Sequence, residues 1–238
     1  MEHCRNTSRR ESLLKPKAVV ILSGGLDSTT CMGIAKTQGY EVHALTFNYG
    51  QRHQIELQKA KQVAEHYQAA DHRVVKLDFL KQIGGSALTD MDLTVPTTGV
   101  GEDIPVTYVP GRNFMFLSMA ASYAEVIGAT AIFMGVNALD YSGYPDCRPE
   151  FIHAVQEALR VGTKAGVEGH PIAVETPLLH WTKAEIIKKG MELEVPYHLT
   201  TSCYLGEEEA CGECDSCRLR LKGFAEAGYT DPVLYKKH

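Results

Sequence analysis

One short run restricts the fold more than any other: Ala18-Val19-Val20-Ile21-Leu22, followed directly by Ser23-Gly24-Gly25-Leu26-Asp27-Ser28. Five consecutive apolar residues ahead of a glycine pair have the length and branching of a buried strand. A helix-like segment begins at Thr29. Glycine lets the backbone turn tightly and bring its N–H groups close to an anion, and Ser23, Ser28 and Thr29 add hydroxyls. The helix that follows points its positive end at the same spot. Strand, turn and helix N-terminus in this order make a phosphate cradle and place the chain in the α/β class.

Strand-like and helix-like segments alternate through the rest of the 238 residues. Strands are expected at Glu41 to Phe47, Val74 to Leu77, Thr130 to Gly135 and, short and edge-like, Pro171 to Glu175. The apolar spacing of Ile55, Ala60, Val63, Ala64 and Tyr67 predicts a helix over 55–67. The nearly all-apolar stretch Asn113 to Ile127 predicts a helix buried on several sides. A further helix spans Glu150 to Arg160, with Phe151, Ile152, Val155 and Leu159 on one face. Thr182 and Glu185 form a capping box that starts a helix running through Lys189 and ended by Gly190. Gly84 to Thr107 reads as a long loop. This alternation implies a doubly wound, mostly parallel, Rossmann-like sheet with its ligand at the carboxyl ends of the strands. The expected organisation is a flexible basic tail over 1–16, the α/β domain over 17–197 and a small metal-binding segment over 198–238.

The net charge is -5, so the surface as a whole does not advertise nucleic-acid binding. No apolar run approaches the ~20 residues of a membrane span. The polar start, with Arg5, Arg9, Arg10 and Lys15, lacks the apolar core of a secretory signal, and a cytoplasmic location is expected.

Four of the seven cysteines crowd the C-terminus as Cys203-x7-Cys211-x2-Cys214-x2-Cys217. Thiolates at such spacings can converge on one tetrahedral ion, and four of them make a closed structural zinc site, one per chain. Disulfides, a redox Cys-x-x-Cys pair, catalysis by one of the four and an iron–sulfur cluster are the competing readings. Glu207, Glu208, Glu209, Glu213 and Asp215 between the ligands would repel a phosphate backbone. The metal is therefore expected to staple the C-terminal segment to the main domain. Cys31 reads as a buried small hydrophobe.

Three stretches point to the substrate side. Tyr108-Val109-Pro110-Gly111-Arg112-Asn113 puts Arg112 and Asn113 at a helix N-terminus, where Arg112 can hold a carboxylate or phosphate through paired hydrogen bonds. Alternatively, Asn113 merely caps the helix and Arg112 lies on the surface. The loop from Gly135 to Glu150 gathers Asp140, Tyr141, Tyr144, Asp146, Cys147 and Arg148 at a strand's carboxyl end. Tyr141 and Tyr144 could stack on a flat heterocycle, and Asp140 or Asp146 could accept the two adjacent N–H donors of a guanine-like edge. Lys183 sits in the first turn of its helix, where a cation is unfavourable unless a phosphate lies nearby; a plain surface lysine is the alternative.

The order Ser-Gly-Gly-x-Asp-Ser after a strand resembles the pyrophosphate (PP) loop of the N-type ATP pyrophosphatases, an adenine nucleotide alpha hydrolase-like superfamily. Neither the Walker pattern nor Gly-x-Gly-x-x-Gly occurs. Taken with Tyr49-Gly50-Gln51-Arg52-His53, Tyr108 to Asn113, Ser142 to Arg148 and the four cysteines, the chain from Lys17 to Tyr229 resembles the 7-cyano-7-deazaguanine synthases, also called preQ0 synthases or QueC proteins. That resemblance implies a ligase of queuosine biosynthesis. Such an enzyme converts 7-carboxy-7-deazaguanine and ammonia to the nitrile preQ0, using ATP with Mg²⁺ and passing through adenylated carboxylate and amide intermediates. It implies an ATP loop of Leu22, Ser23, Gly24, Gly25, Leu26, Asp27, Ser28, Thr29 and Thr30, with Asp27 near Mg²⁺. Asp27, Arg112 and Lys183 are the implied catalytic groups. Arg112, Asn113, Asp140, Tyr144, Asp146 and Arg148 are the implied substrate contacts. Cys203, Cys211, Cys214 and Cys217 are implied zinc ligands. The family often forms homodimers, and its substrates are small molecules rather than nucleic acid or membrane. Other ATP pyrophosphatases such as a tRNA thiolase or an NAD synthetase, a relative that modifies a protein terminus, and a non-enzymatic zinc-stapled module are the rivals.

Overall fold

The computed structural model describes residues 15–51, 55–90, 92–95, 104–139, 143–205 and 208–236. The expected basic tail through residue 14, Cys4, Arg52, His53, Asp140, Tyr141, Ser142 and Glu207 lie outside the described residues.

Five parallel strands form one sheet in the order β3-β2-β1-β4-β5. They are β1 Lys17–Ile21, β2 Glu41–Asn48, β3 Asp71–Lys76, β4 Ala131–Met134 and β5 Ala173–Glu175. The α-helices among the described residues are α1 Leu26–Thr37, α2 Ile55–His66, α3 Asp78–Ile83, α4 Arg112–Ile127, α5 Pro149–Gly162, α6 Lys164–Val167, α7 Lys183–Glu192 and α8 Asp215–Ala227. None of them is long and apolar enough to cross a membrane.

Both faces of the sheet are covered, as a parallel sheet requires. The side-chain period of two sorts the strands between two cores. Val19, Ile21, Leu45, Phe47, Ile132 and Met134 pack with α4 and α5. Ala18, Val20, Leu22, Val42, Ala44 and Phe133 pack with α1, α2, α7 and Phe224 of α8. On α5, Ile152, Val155 and Leu159 recur at helical spacing and are buried, each side chain contributing about 1.5–3 kcal/mol. Strand order reverses between β1 and β4, which opens a crevice at their carboxyl ends.

The doubly wound parallel sheet is as expected, but three local expectations are corrected. The first helix starts at Leu26, ahead of Thr29, because Gly25 takes the extended N-cap conformation. α4 buries only one face, through Phe116, Leu117, Ala120, Ala121 and Ala124; Phe114 and Val126 on the other are exposed. It lies against one side of the sheet and has no second layer over it among the described residues. α7 continues through Gly190 to Glu192. Gly190 is not a stop signal but a packing site, because a Cβ there would meet the Tyr197 ring.

These contacts predict opposite outcomes at two helical glycines. Gly190→Ala should destabilise by about 1–3 kcal/mol through overpacking against Tyr197. Gly162→Ala, at a position with open space around it, should be neutral or stabilise by about 0.4–1 kcal/mol. Denaturant melts of both variants check this; equal destabilisation would contradict the packing.

Candidate functional site

β1 ends under a hydrogen bond from the Leu22 N–H to the Leu45 carbonyl (2.9 Å), and the Thr46 hydroxyl donates to the Leu22 carbonyl at 2.7 Å. The chain then turns through Gly24 at φ +83°, a conformation that favours glycine. A Cβ on Gly24 would lie 2.6 Å from the Ala60 nitrogen and the Glu56 oxygen of α2. The turn is tied internally: the Ser23 N–H donates to Ser28 Oγ (3.2 Å) and the Gly25 N–H to Ser23 Oγ (3.2 Å). Thr29 and Thr30 turn away from the loop mouth. Thr29 donates to the Gly25 carbonyl at 2.8 Å and Thr30 to the Leu26 carbonyl at 2.9 Å. Thr30 also meets the Tyr197 hydroxyl at 2.9 Å. Of the expected ATP loop, Leu22, Ser23, Gly25, Leu26, Asp27 and Ser28 face a cavity of about 1120 Å³ including its open mouth. Gly24, Thr29 and Thr30 support from behind.

Arg112 and Asn113, opening α4, line the same cavity. Arg112 lies over the Tyr49 and Phe116 rings, 5.8 and 5.9 Å from their centroids, with Nη1 3.4 Å from the Tyr49 hydroxyl. Phe116 is itself stacked on Phe47 at 4.0 Å. A planar guanidinium held on aromatic faces keeps its fork available for a carboxylate or phosphate. Asn113 does not cap its helix with its own side chain. The cap comes from another segment: Asp146 Oδ2 accepts the Asn113 N–H at 3.1 Å. Asn113 Nδ2 donates to the Asp146 carbonyl (3.1 Å) and meets Cys147 Sγ (3.4 Å). A carboxylate at a helix N-terminus also complements the dipole.

The remaining predicted substrate residues divide. Tyr144 lines the cavity, but it is buried and its hydroxyl pairs with Thr107 at 2.7 Å. Asp146 sits behind Asn113 and does not line the cavity; burial pushes its carboxyl up, against the opposing pull of Arg112. Arg148 is exposed ahead of α5, away from the cavity. Cys147 lines the cavity with its thiol pushed up to about 12, by burial first and then by Asp146.

Asp27 and Lys183, expected on a metal ion and on phosphate, are partners of each other. Lys183 Nζ lies 2.7 and 2.9 Å from the two Asp27 oxygens. The capping box of Thr182 and Glu185 fixes the start of α7. The lysine stem crosses Gly223 of α8, where a Cβ would come within 2.4 Å of Lys183 Cγ.

Several contributors carry no sequence motif. Gly135, after β4, lets the backbone approach α1; a Cβ there would lie 2.9 Å from the Asp27 and Ser28 backbone. Asn137 donates to the Leu178 and Trp181 carbonyls at 3.0 and 2.6 Å, tying the β4 loop to the segment before α7. Thr201, Ser202 and Tyr204 also line the cavity, together with Tyr49 from the quoted Tyr49–His53 stretch and Ser216 from between Cys214 and Cys217.

The four C-terminal cysteines come together. Their sulfurs all lie within 4.8 Å of one another and are buried, and Cys211 Sγ is 3.9 Å from Cys217 Sγ. A tetrahedral zinc ion with bonds of about 2.3 Å needs sulfurs about 3.8 Å apart, so the cluster fits such an ion. Backbone N–H groups of Cys211, Glu213 and Cys214 point at its sulfurs at 3.3–3.4 Å. Hydrogen bonds from Cys214 and Cys217 hold the Cys203 thiol well below its usual range, while Cys203 and Cys214 push Cys217 up. Metal ligation requires the thiols to be deprotonated, and a bound cation offsets that charge.

The family model described as "Queuosine biosynthesis protein QueC" matches residues 17–228. Over 219 residues the chain is 62% identical to a 7-cyano-7-deazaguanine synthase of Oceanobacillus iheyensis, covering 92% of this chain and 98% of that one. It is 62% identical over 222 residues to the same-named protein of Geobacter metallireducens, covering 92% and 93%. Among solved structures, a 4-thiouridine synthetase–RNA complex with bound ATP shares the fold at TM-score 0.51 and 18% identity, covering 90% of this chain and half the length of that one.

A thiol with its pKa raised to about 12 is about one part in ten thousand thiolate at pH 8. Cys147 should therefore resist iodoacetamide at pH 8 in the folded protein and react once it is unfolded. Peptide mass spectrometry checks this; rapid labelling of the native protein would contradict the buried, protonated thiol.

Proposed function

The chain belongs to the QueC family of queuosine biosynthesis proteins, and on that premise we propose that it makes 7-cyano-7-deazaguanine from 7-carboxy-7-deazaguanine, ammonia and ATP. One observation carries this reading at the level of the site: the Ser23–Ser28 loop and Arg112 line a single cavity at the sheet's switch point. The loop suits a pyrophosphate, and Arg112 suits the carboxylate to be activated.

A carboxylate oxygen is a poor leaving group until it is adenylated. Its attack on the α-phosphorus of ATP releases pyrophosphate into the N–H-lined loop at the start of α1. Ammonia then displaces AMP and leaves the amide. A second adenylation, on the amide oxygen, lets AMP depart as the nitrile forms. Arg112 neutralises the carboxylate and the charge that develops beside it. Asp27 would hold the magnesium that accompanies ATP once Lys183, its present partner, turned to phosphate oxygens. Asn113 and Tyr144 shape the base side of the cavity, with Asp146 positioning Asn113.

The cysteine cluster holds zinc as a structural ion. When bound, the ion would neutralise thiolate charge and tie Cys203 to the Cys211–Cys217 turn. Its four protein ligands leave no open position for chemistry. The acidic residues around it favour small-molecule substrates over nucleic acid, and the family resemblance supports a cytoplasmic homodimer.

Incubation with 7-carboxy-7-deazaguanine, ATP, Mg²⁺ and ammonium should yield a product with the mass of preQ0, together with AMP and pyrophosphate. Zinc-loaded, folded protein that forms no nitrile would defeat the proposal. Asp27→Ala should abolish ATP cleavage in protein that still folds, with melting lowered because Lys183 loses that carboxylate; turnover within tenfold of wild type would remove Asp27 from metal binding. Cys214→Ser should lower zinc content and melting temperature together, and unchanged values for both would contradict a structural ion.

A further inference from the structure

Residues 200–202 and the first turn of α8 carry four hydroxyls, and only two of them are engaged. The Thr200 and Ser202 hydroxyls meet the Arg220 guanidinium at 2.8 and 3.4 Å. Thr201 and Ser216 are only 5% and 8% exposed, and neither side chain has a hydrogen-bond partner among the described residues. Both line the cavity. Their hydroxyl oxygens open into it, since the sealed side-chain polar atoms without a partner among the described residues are Tyr67 Oη and Asp146 Oδ1, so both hydroxyls can donate to a molecule that occupies the cavity.

Their setting indicates the occupant's charge. The Thr201 N–H donates to the Gly24 carbonyl at 3.0 Å, and its own carbonyl lies 3.5 Å from a Cβ built on Gly25. Thr201 is thus seated directly on the phosphate loop. Ser216 is the second residue of α8, after the N-cap Cys214, where backbone N–H groups lack partners within the helix. Asp215 beside it does not line the cavity. The Ser216 hydroxyl therefore reaches the cavity from the first turn of α8.

We propose that Thr201 and Ser216 donate hydrogen bonds to an anionic oxygen of a substrate bound against the Ser23–Ser28 loop. The cysteine cluster then builds part of the binding site in addition to bracing the fold. The identity of the anion rests on the function proposed above: a phosphate of ATP or the carboxylate of the deazaguanine.

The test uses the full zinc-loaded chain, with Thr201→Val and Ser216→Ala to remove each hydroxyl and Thr201→Ser to keep one. Inorganic pyrophosphate, ATP with Mg²⁺, and 7-carboxy-7-deazaguanine are titrated separately by calorimetry, which does not require nitrile formation. Each hydroxyl-deleting variant should bind at least one ligand about tenfold more weakly, the loss of one hydrogen bond to a charged group. Zinc content and melting should stay at wild-type values, and Thr201→Ser should stay within about twofold of wild type. Weaker pyrophosphate and ATP assigns the phosphate chain; weaker 7-carboxy-7-deazaguanine alone assigns the carboxylate. Unchanged affinity for all three ligands would overturn the proposal, as would loss of zinc from both variants, which would make the hydroxyls part of the metal fold. A wild-type protein that binds ATP but makes no nitrile would defeat the proposed reaction and leave this test intact.

Discussion

Close approach of backbone to backbone around residues 24–28 is the constraint on which the rest of the structure depends. Four segments far apart in sequence meet there. Gly24 lies against the start of α2, and Gly135 lies against Asp27 and Ser28. Thr201 bonds the Gly24 carbonyl, and Lys183 pairs with Asp27. Two of these contacts tolerate no Cβ, so the cradle's shape follows from glycine at positions where any side chain would force the elements apart. The same crowding holds the Ser23–Ser28 segment against the cavity.

The C-terminal segment serves this arrangement from behind and from the side. Gly223 makes room for the Lys183 stem, and Phe224 enters the core beneath α1 and α7. Arg220 and Asp231, each only 3% exposed, form a paired contact at 2.7 and 2.9 Å. A buried ion pair is tolerable only when its remaining hydrogen-bonding capacity is met. Here Tyr235 and Val233 also donate to Asp231, and Arg220 reaches Thr200, Ser202 and the Tyr197 carbonyl. That network and the cysteine cluster brace the segment whose Thr201 bonds the phosphate loop.

The sheet, the phosphate loop and the cysteine cluster were legible in the sequence because each has a local signature: a strand-length apolar run, a glycine turn before a helix, thiols at ligand spacing. What could not be read is non-local. Nothing near Gly190 in the chain distinguishes a helix stop from a seat for the Tyr197 ring. Asp146 was read as a base contact, yet its carboxylate caps α4 from a different segment. Lys183 and Asp27, 156 residues apart, were each assigned a ligand when the fold makes them a pair. α4 was expected to be buried on several sides because its composition is apolar, but composition does not say how many layers will cover a helix. Thr201 lies outside any motif and Ser216 is only a spacer between Cys214 and Cys217, so nothing local marks either as a cavity residue.

The central claim is that the cysteine segment and the phosphate loop are one mechanical unit. Hydrogen exchange of the zinc-loaded protein, compared with the same protein after chelation, tests it most directly, because exchange reports local opening. The account predicts that metal removal speeds exchange at residues 23–28 as well as at 200–217. Faster exchange confined to the C-terminal segment, with the loop unchanged, would contradict it.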